Sequence, residues 1–180
     1  MKYLIGLDID GTIITDDQLL TKETIEYIKE LSDNGHIVSL VTGRPFRTTK
    51  PIYDQLGLNT PLANYSGSLL QHPNQKDFPG YKYTMDQKYL LEIFSKYKKG
   101  ILNAFLEIED KVYLYKEDSD LRKWLSENCE TLEIGDFEGR INHPLCGAVF
   151  FISPTISEEM EEFVSNFYSD KLGFRLKEMA

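Results

Sequence analysis

The sequence predicts an α/β fold followed by an α+β domain, and two observations support this. In the first third of the chain, short apolar runs alternate with helical patterns, which is typical of a parallel sheet with right-handed crossover helices. Beyond Gly67 the alternation changes to helices that are each followed by strands. The predicted elements of the first part are a strand at Tyr3–Leu7, a helix at Lys22–Asp33, a strand at His36–Val41, a helix at Pro45–Leu56 and a strand at Pro61–Tyr65.

Local signals define the first strand and the two helices of this part. The run Tyr3–Leu7 is almost continuously apolar, so we expect a strand that is buried on both faces. Thr21 can cap the first helix, and Asn34-Gly35 provides a left-handed stop at its end. Pro51 predicts a kink in the second helix.

The second part of the chain is predicted to follow an αββ, αββ-like order. Pro73, Pro79 and Gly80 predict a connector with a hairpin, and Glu109-Asp110 predicts a two-residue turn. The predicted elements are helices at 86–98, 119–128 and 157–168, and strands at 101–108, 111–115, near Leu132, at 146–152 and near Phe174. The change of pattern lies between residues 68 and 84, and we assign residues 1–75 to the first domain and residues 76–180 to the second.

Charge and hydropathy exclude several classes of function. The formal net charge is −9 with no cluster of Lys and Arg, which argues against nucleic acid or an anionic membrane surface as a partner. The longest apolar run, Leu145–Ile152, is far shorter than the ~20 residues that span a bilayer. The amino terminus reaches a carboxylate before any signal-type apolar segment, so we expect a cytoplasmic protein.

The strongest chemical signal is the run Asp8-Ile9-Asp10-Gly11-Thr12 at the carboxyl end of the first predicted strand. Residues two apart in an extended chain point the same way, so Asp8 and Asp10 are expected to face one volume. Such a pair can bind a hard divalent cation, or divide the tasks of nucleophile and acid–base. Gly11 permits a sharp turn, and Thr12 offers a hydroxyl or an amide to an anion. The alternative is a solvated turn in which the aspartates accept bonds from nearby backbone.

A second signal is Thr42-Gly43-Arg44, again between a predicted strand and a helix. A hydroxyl, an unhindered amide and a helix N-terminus together suit a phosphate or another oxyanion. Arg44 has two interpretations, a partner for the substrate or a donor to neighbouring loop carbonyls. Ser66-Gly67 ends the third predicted strand and would be a neighbour of both loops.

With DIDGT, VTGR about 30 residues later and an α+β segment after the third strand, the sequence resembles the haloacid dehalogenase (HAD) superfamily. It is most similar to the Cof-like phosphatases. The resemblance implies a Rossmann-like core with a mobile cap inserted after the third strand. It also implies Mg²⁺ dependence and hydrolysis of small phosphorylated metabolites, of the sugar-phosphate type, through an aspartyl-phosphate.

The resemblance also assigns roles to residues. Asp8 matches the nucleophile and a metal ligand. Asp10 matches the general acid and base, and its backbone carbonyl meets the metal. Thr42 matches the hydroxyl that binds the transferred phosphoryl group, with Gly43 beside it, and Arg44 matches the arginine that follows.

The sequence departs from the Cof-like pattern in two ways. Ser66 stands where the family has Asn, and no Lys followed by a Gly-Asp-x-x-Asn-Asp segment comes after the cap. Gly135-Asp136 is the one Gly-Asp pair, and Asp136 is explained adequately as a charged turn. Mg²⁺ needs six oxygen ligands, and phosphoryl transfer depends on electrostatic stabilisation. Because this Lys and this acidic segment are not found in the sequence, we expect this chain to be weakly active or inactive as a phosphatase.

Three interpretations therefore remain open on the sequence alone. The chain is a phosphatase, a non-catalytic phosphate-binding or regulatory protein, or a shortened form of a longer phosphatase. The parallel-sheet core is expected to be incomplete, with an exposed edge that is covered by self-association or by a core segment supplied from elsewhere.

Overall fold

A computed structural model describes residues 1–15, 17, 19–126 and 129–172. The chain divides into two compact units, of which the first is Met1–Tyr83 and the second begins at Thr84. The first unit extends to Tyr83 because its last strand pairs within its own sheet. The elements of the first unit are β1 (Leu4–Leu7), α1 (Lys22–Asp33), β2 (Ile37–Leu40), α2 (Phe46–Gln55), β3 (Leu62–Asn64), β4 (Leu69–Gln71) and β5 (Tyr81–Lys82).

Parallel pairing organises the start of the first unit. β1 pairs in parallel with β2, with Leu4 opposite Ile37 and Leu7 opposite Leu40. A parallel bridge between Val41 and Ala63 continues the pairing from β2 to β3. The predicted strand–helix–strand–helix–strand order is confirmed, and the α/β fold class with it.

The core of the first unit lies on one face of the β1–β2 sheet. Val38 and Leu40 of β2 are fully buried there, with Ile28 from α1 and Tyr53 from α2 in the same cluster. Both helices therefore cover the same face, and Pro51 lies within the continuous helix α2.

The opposite face of this sheet exposes apolar side chains. Leu4 is 75% exposed, and Ile37 and Val41 are 53% and 45% exposed. The prediction that the first strand is buried on both faces is wrong, because both helices pack on one side of it. An apolar run alone does not reveal which faces a fold covers.

The predicted hairpin in the connector is confirmed. β4 pairs antiparallel with both β3 and β5, so the three strands form a small meander. A single 3₁₀ turn, Tyr65–Gly67, joins β3 to β4.

The second unit is a four-stranded sheet in the order β8-β7-β6-β9, with helices on both faces. β6 is antiparallel to both of its neighbours, whereas β7 and β8 are parallel. The helices α3 and α5 cover one face, and α4 packs on the other through Leu125. The elements are α3 (Gln87–Tyr97), β6 (Ile101–Ile108), β7 (Lys111–Leu114), α4 (Ser119–Ser126), β8 (Thr131–Ile134), β9 (Gly147–Ile152) and α5 (Ser157–Tyr168). The strand predicted near Phe174 lies outside the described residues.

Candidate active site

The first loop of the site is a tight turn that begins where β1 ends. Asp8 accepts a hydrogen bond at Oδ1 from the backbone N–H of Ile9 at 2.8 Å. Ile9 is fully buried, and its carbonyl oxygen accepts from the N–H of Thr12 at 3.3 Å. Gly11 has φ = 68°, a conformation that costs a residue without a Cβ nothing. The buried Ile9 anchors the turn, while Asp8, Asp10 and Thr12 on either side of it are exposed.

The second loop follows β2 and is fixed by Thr42. The backbone N–H of Thr42 donates to the carbonyl of Ala63 at 3.0 Å, and the side chain is 2% exposed. Its Oγ1 accepts from the backbone N–H of Arg44 at 3.2 Å. The Thr42 hydroxyl therefore acts as an acceptor in the loop and still carries its own hydrogen for a further bond.

The two loops are joined by an ion pair between Arg44 and Asp10. Arg44 Nε donates to Asp10 Oδ2 at 2.9 Å, and Nη2 donates to Oδ1 at 2.6 Å. These hydrogen bonds raise the pKa of the Arg44 guanidinium above its ordinary value; the negative charges of Asp10 and Asp8 act in the same direction, and partial burial opposes them. Asp10 thus contacts the guanidinium directly, and the charge of Asp8 also acts on it.

The third loop is the turn after β3, and it lies against the second. Ser66 donates its backbone N–H to the carbonyl of Thr42 at 3.0 Å. A Cβ added to Gly43 would lie 3.5 Å from Ser66 Oγ, so the two residues are neighbours. Tyr65 and Ser66 have positive φ values of 48° and 54°, a conformation that is strained for residues with a side chain. The structure therefore places Ser66 beside the predicted phosphate loop, as the order of the strands indicates.

Sequence reasoning missed Asn64, the last residue of β3. It is fully buried, and its Nδ2 donates to the Arg44 carbonyl at 3.0 Å and to Thr49 Oγ1 at 2.9 Å. The one signal for it in the sequence is a polar side chain inside the short apolar run Pro61–Tyr65.

A metal ion at this site can use the carboxylate of Asp8, whereas both oxygens of the Asp10 carboxylate accept from Arg44. Within the residues that the structure describes, no group of three or more His, Cys, Asp and Glu side chains is arranged to hold a metal. Mg²⁺ is commonly held by one or two carboxylates, with water and substrate phosphate completing its six ligands, so the Asp8 carboxylate and the backbone carbonyl of Asp10 fit that ion. Asp136 lies in the second unit and pairs with Lys98 at 2.5 Å.

Comparison with known proteins identifies the family of the chain. Residues 5–177 match the family model of haloacid dehalogenase-like hydrolases. The chain is 27% identical over 176 residues to the 5-amino-6-(5-phospho-D-ribitylamino)uracil phosphatase YitU of Bacillus subtilis. This match covers 96% of this chain and 64% of that protein. It is also 39% identical over 127 residues to a putative phosphatase of Metamycoplasma hominis. That match covers 68% of this chain and 45% of the relative. The chain therefore spans less than two thirds of the length of either relative.

A solved structure shows the same fold. A haloacid dehalogenase-like hydrolase from Bacteroides thetaiotaomicron superposes with a TM-score of 0.79 at 18% identity, over 98% of this chain and 68% of that one. In the part of the chain that is described, no helix is both long and apolar enough to cross a membrane. The family prediction made from DIDGT and VTGR is confirmed, and this chain belongs to the haloacid dehalogenase-like hydrolases.

Proposed function

We propose that this protein is a cytoplasmic, Mg²⁺-dependent phosphatase of small phosphorylated metabolites that acts through an aspartyl-phosphate on Asp8. In this proposal residues 1–75 supply the core that carries the site, and residues 76–180 form a cap that selects the leaving group. The names of the relatives support a phosphatase, since both are phosphatases by name.

The observation that carries the proposal is the ion pair between Arg44 and Asp10. A phosphate dianion brings negative charge to a site that already holds two carboxylates, so the site needs a cation at the same place. Arg44 donates a hydrogen bond to the Asp10 carboxylate, and the negative charge of Asp8 helps to raise the pKa of Arg44. A guanidinium has five donors in a planar fork, which lets it bond to a carboxylate and then to phosphate oxygens.

The reaction follows from the two aspartates. A carboxylate oxygen of Asp8 attacks phosphorus, the bond from phosphorus to the leaving oxygen breaks, and Asp10 gives its proton to that oxygen. Asp10 then takes a proton from water, which attacks the aspartyl-phosphate and releases inorganic phosphate and free Asp8. The Thr42 hydroxyl and Arg44 hold the phosphoryl oxygens during both steps.

Mg²⁺ would be held by the Asp8 side chain and the Asp10 backbone carbonyl. When bound, it supplies positive charge that offsets the oxygens of the transferred group. Because the described residues offer no further metal ligands at this site, we expect weak metal binding and low turnover by the 180-residue chain.

The relative of Bacillus subtilis is named for a substrate with its phosphate on a ribityl chain. This supports a substrate in which the phosphate is attached to a sugar or a polyol. Specificity for the remainder of the molecule belongs to the cap in this proposal.

A non-catalytic phosphate-binding protein is the second candidate. It is favoured by the ion pair itself, since both oxygens of Asp10 accept bonds from Arg44 and Asp10 must be released before it can carry a proton. In that case the site binds phosphate without transferring it.

Hydrolysis of para-nitrophenyl phosphate by the purified chain, with and without Mg²⁺, tests the proposal. We expect slow turnover that needs the metal and that is abolished in Asp8→Asn. Asp8 is exposed, so this variant should keep the circular dichroism spectrum and unfolding midpoint of the wild type. A folded chain that binds phosphate but never turns over would favour the second candidate.

A further inference from the structure

We propose that Asn64 is a positioning residue that holds the Thr42–Arg44 loop in its phosphate-binding conformation. This inference rests on the proposed function. It concerns a buried residue whose side-chain hydrogen bonds, among the described residues, go to Arg44 and Thr49, and that acts through the backbone of Arg44.

Asn64 fastens three segments at one point. Its Nδ2 donates to the carbonyl of Arg44 in the second loop, and to the hydroxyl of Thr49 in α2. The Thr49 hydroxyl in turn donates to the carbonyl of Pro45 at 2.9 Å. The end of β3, the loop and the first turn of α2 are therefore tied together by one buried amide.

The orientation of the amide follows from its partners. The carbonyl of Arg44 can only accept a hydrogen bond, so the nitrogen of Asn64 must face it. Thr49 uses its hydroxyl hydrogen on Pro45, so its oxygen is left to accept from the same nitrogen. The hydrogen-bond pattern admits one orientation of the Asn64 side chain.

This orientation leaves Asn64 Oδ1 buried without a hydrogen-bond donor among the described residues. A buried acceptor without a partner destabilises a fold, whereas an apolar side chain of similar size carries no such penalty. The amide is thus poorly explained as filler for the core. It is explained by the two hydrogen bonds that its nitrogen donates.

Those bonds fix the backbone that would meet phosphate. The neighbouring N–H of Tyr65 also donates to the Arg44 carbonyl, at 3.2 Å, and the N–H of Ser66 donates to the Thr42 carbonyl at 3.0 Å. Two carbonyl oxygens of the loop are therefore held by the segment from Asn64 to Ser66. A loop held before its ligand arrives loses less entropy on binding, which favours affinity.

The test is the affinity of the full chain for inorganic phosphate, in Asn64→Leu and in a matched control, Asn103→Leu. Asn103 is also a buried asparagine, at 7% exposed, and it donates to the Lys116 carbonyl at 3.1 Å in the second unit. All variants are measured well below their unfolding midpoints. We expect Asn64→Leu to weaken phosphate binding by about tenfold, and Asn103→Leu to change it by less than about twofold.

Asn64→Asp gives a readout that a merely structural role would not move. An ionised carboxylate cannot donate to the Arg44 carbonyl, whereas a protonated one can donate one hydrogen bond. Burial raises the pKa of such a carboxyl, so part of it is protonated as the pH falls from 8 to 6. Over that range, the phosphate affinity of Asn64→Asp should recover relative to that of wild type at the same pH.

The outcomes separate the two proposals. If wild type binds phosphate and Asn64→Leu binds equally well, or if Asn103→Leu loses as much affinity, the positioning role of Asn64 is overturned while the proposed function stands. A folded wild-type chain that binds no phosphate overturns the proposed function, and the role of Asn64 with it.

Discussion

Arg44 donates two hydrogen bonds to the carboxylate of Asp10, which lies 34 positions away in the sequence. The guanidinium side chain is 23% exposed and the carboxylate 53%, so the pair is open to solvent and to ligands. An arriving phosphate and Asp10 would share one cation. In the proposed function, Arg44 would thereby couple binding of the phosphate to release of the group that we propose as the acid.

Replacement of Arg44 by Lys should weaken phosphate binding. Lysine keeps the positive charge but offers a single point of contact in place of a planar fork, so the paired geometry is lost. We expect the dissociation constant for inorganic phosphate to rise by about tenfold, as measured by titration. Arg122→Lys is the control, since Arg122 pairs with Glu117 at the surface of the second unit and should leave binding unchanged. Equal affinity in Arg44→Lys and wild type would contradict a role for the guanidinium.

Replacement of Asp136 by Asn should leave the metal requirement unchanged. The hydrogen bond from Lys98 is the main cause that lowers the pKa of the Asp136 carboxyl, so this aspartate already has a cationic partner. We expect the same dependence of para-nitrophenyl phosphate hydrolysis on Mg²⁺ concentration in the variant and in wild type. A higher Mg²⁺ requirement would show that Asp136 is a ligand after all.

Phe137 is the buried centre of an aromatic cluster in the second unit. Its ring lies 4.8 Å from that of Phe94 and 5.7 Å from that of Tyr115, measured between centroids. Because the side chain is fully buried, Phe137→Ala should lower the free energy of unfolding by about 3–5 kcal/mol, as measured in urea. Phe167→Ala, at a side chain that is 66% exposed, should cost less than about 1 kcal/mol. Similar losses in both variants would contradict this view of the core.

Tyr168 should make the stability of the second unit depend on alkaline pH. Its hydrogen bond to Glu92, then its burial and the charge of Glu92, raise the pKa of Tyr168 to about 12. An unfolded tyrosine titrates near pH 10, so this contribution to stability is fully present below about pH 10 and is lost as the pH rises toward the folded value.

Urea unfolding between pH 9 and 11 measures the effect. The free energy of unfolding of wild type should fall with pH more steeply than that of Tyr168→Phe, by up to one proton in the linkage slope. Tyr83→Phe, at a side chain that is 69% exposed, should follow wild type. Parallel curves for wild type and Tyr168→Phe would rule out the shift.

The elements that sequence predicts well are those with local start and stop signals. Helix α1 begins after Thr21, whose side chain accepts from the N–H of Thr24, and the chain leaves it through Gly35 with φ = 82°. The bounds of α5, Ser157–Tyr168, are also those that its helical pattern predicts. The burial of β1 depends instead on which face receives α1 and α2, and this information is not local.

The candidate site likewise has residues that the sequence predicts and contacts that it does not. Asp8, Asp10, Thr42 and Arg44 are visible in the sequence because their motifs are short and follow strands. The bond between Arg44 and Asp10, and the bond from Asn64 to Arg44, join residues that are distant in sequence and come together only through strand order. A single polar residue in an apolar run gives no hint of its partners.

The exposed face of the first sheet has a consequence for handling the protein. Leu4, Ile37 and Val41 form an apolar surface on the sheet of β1 and β2. Apolar surfaces at a sheet edge associate at high protein concentration. The net charge of −9 keeps copies apart near neutral pH, but the sequence pI of about 4.9 means that this repulsion vanishes close to pH 5. Precipitation near pH 5 is then expected to limit the acidic side of any activity profile of this chain.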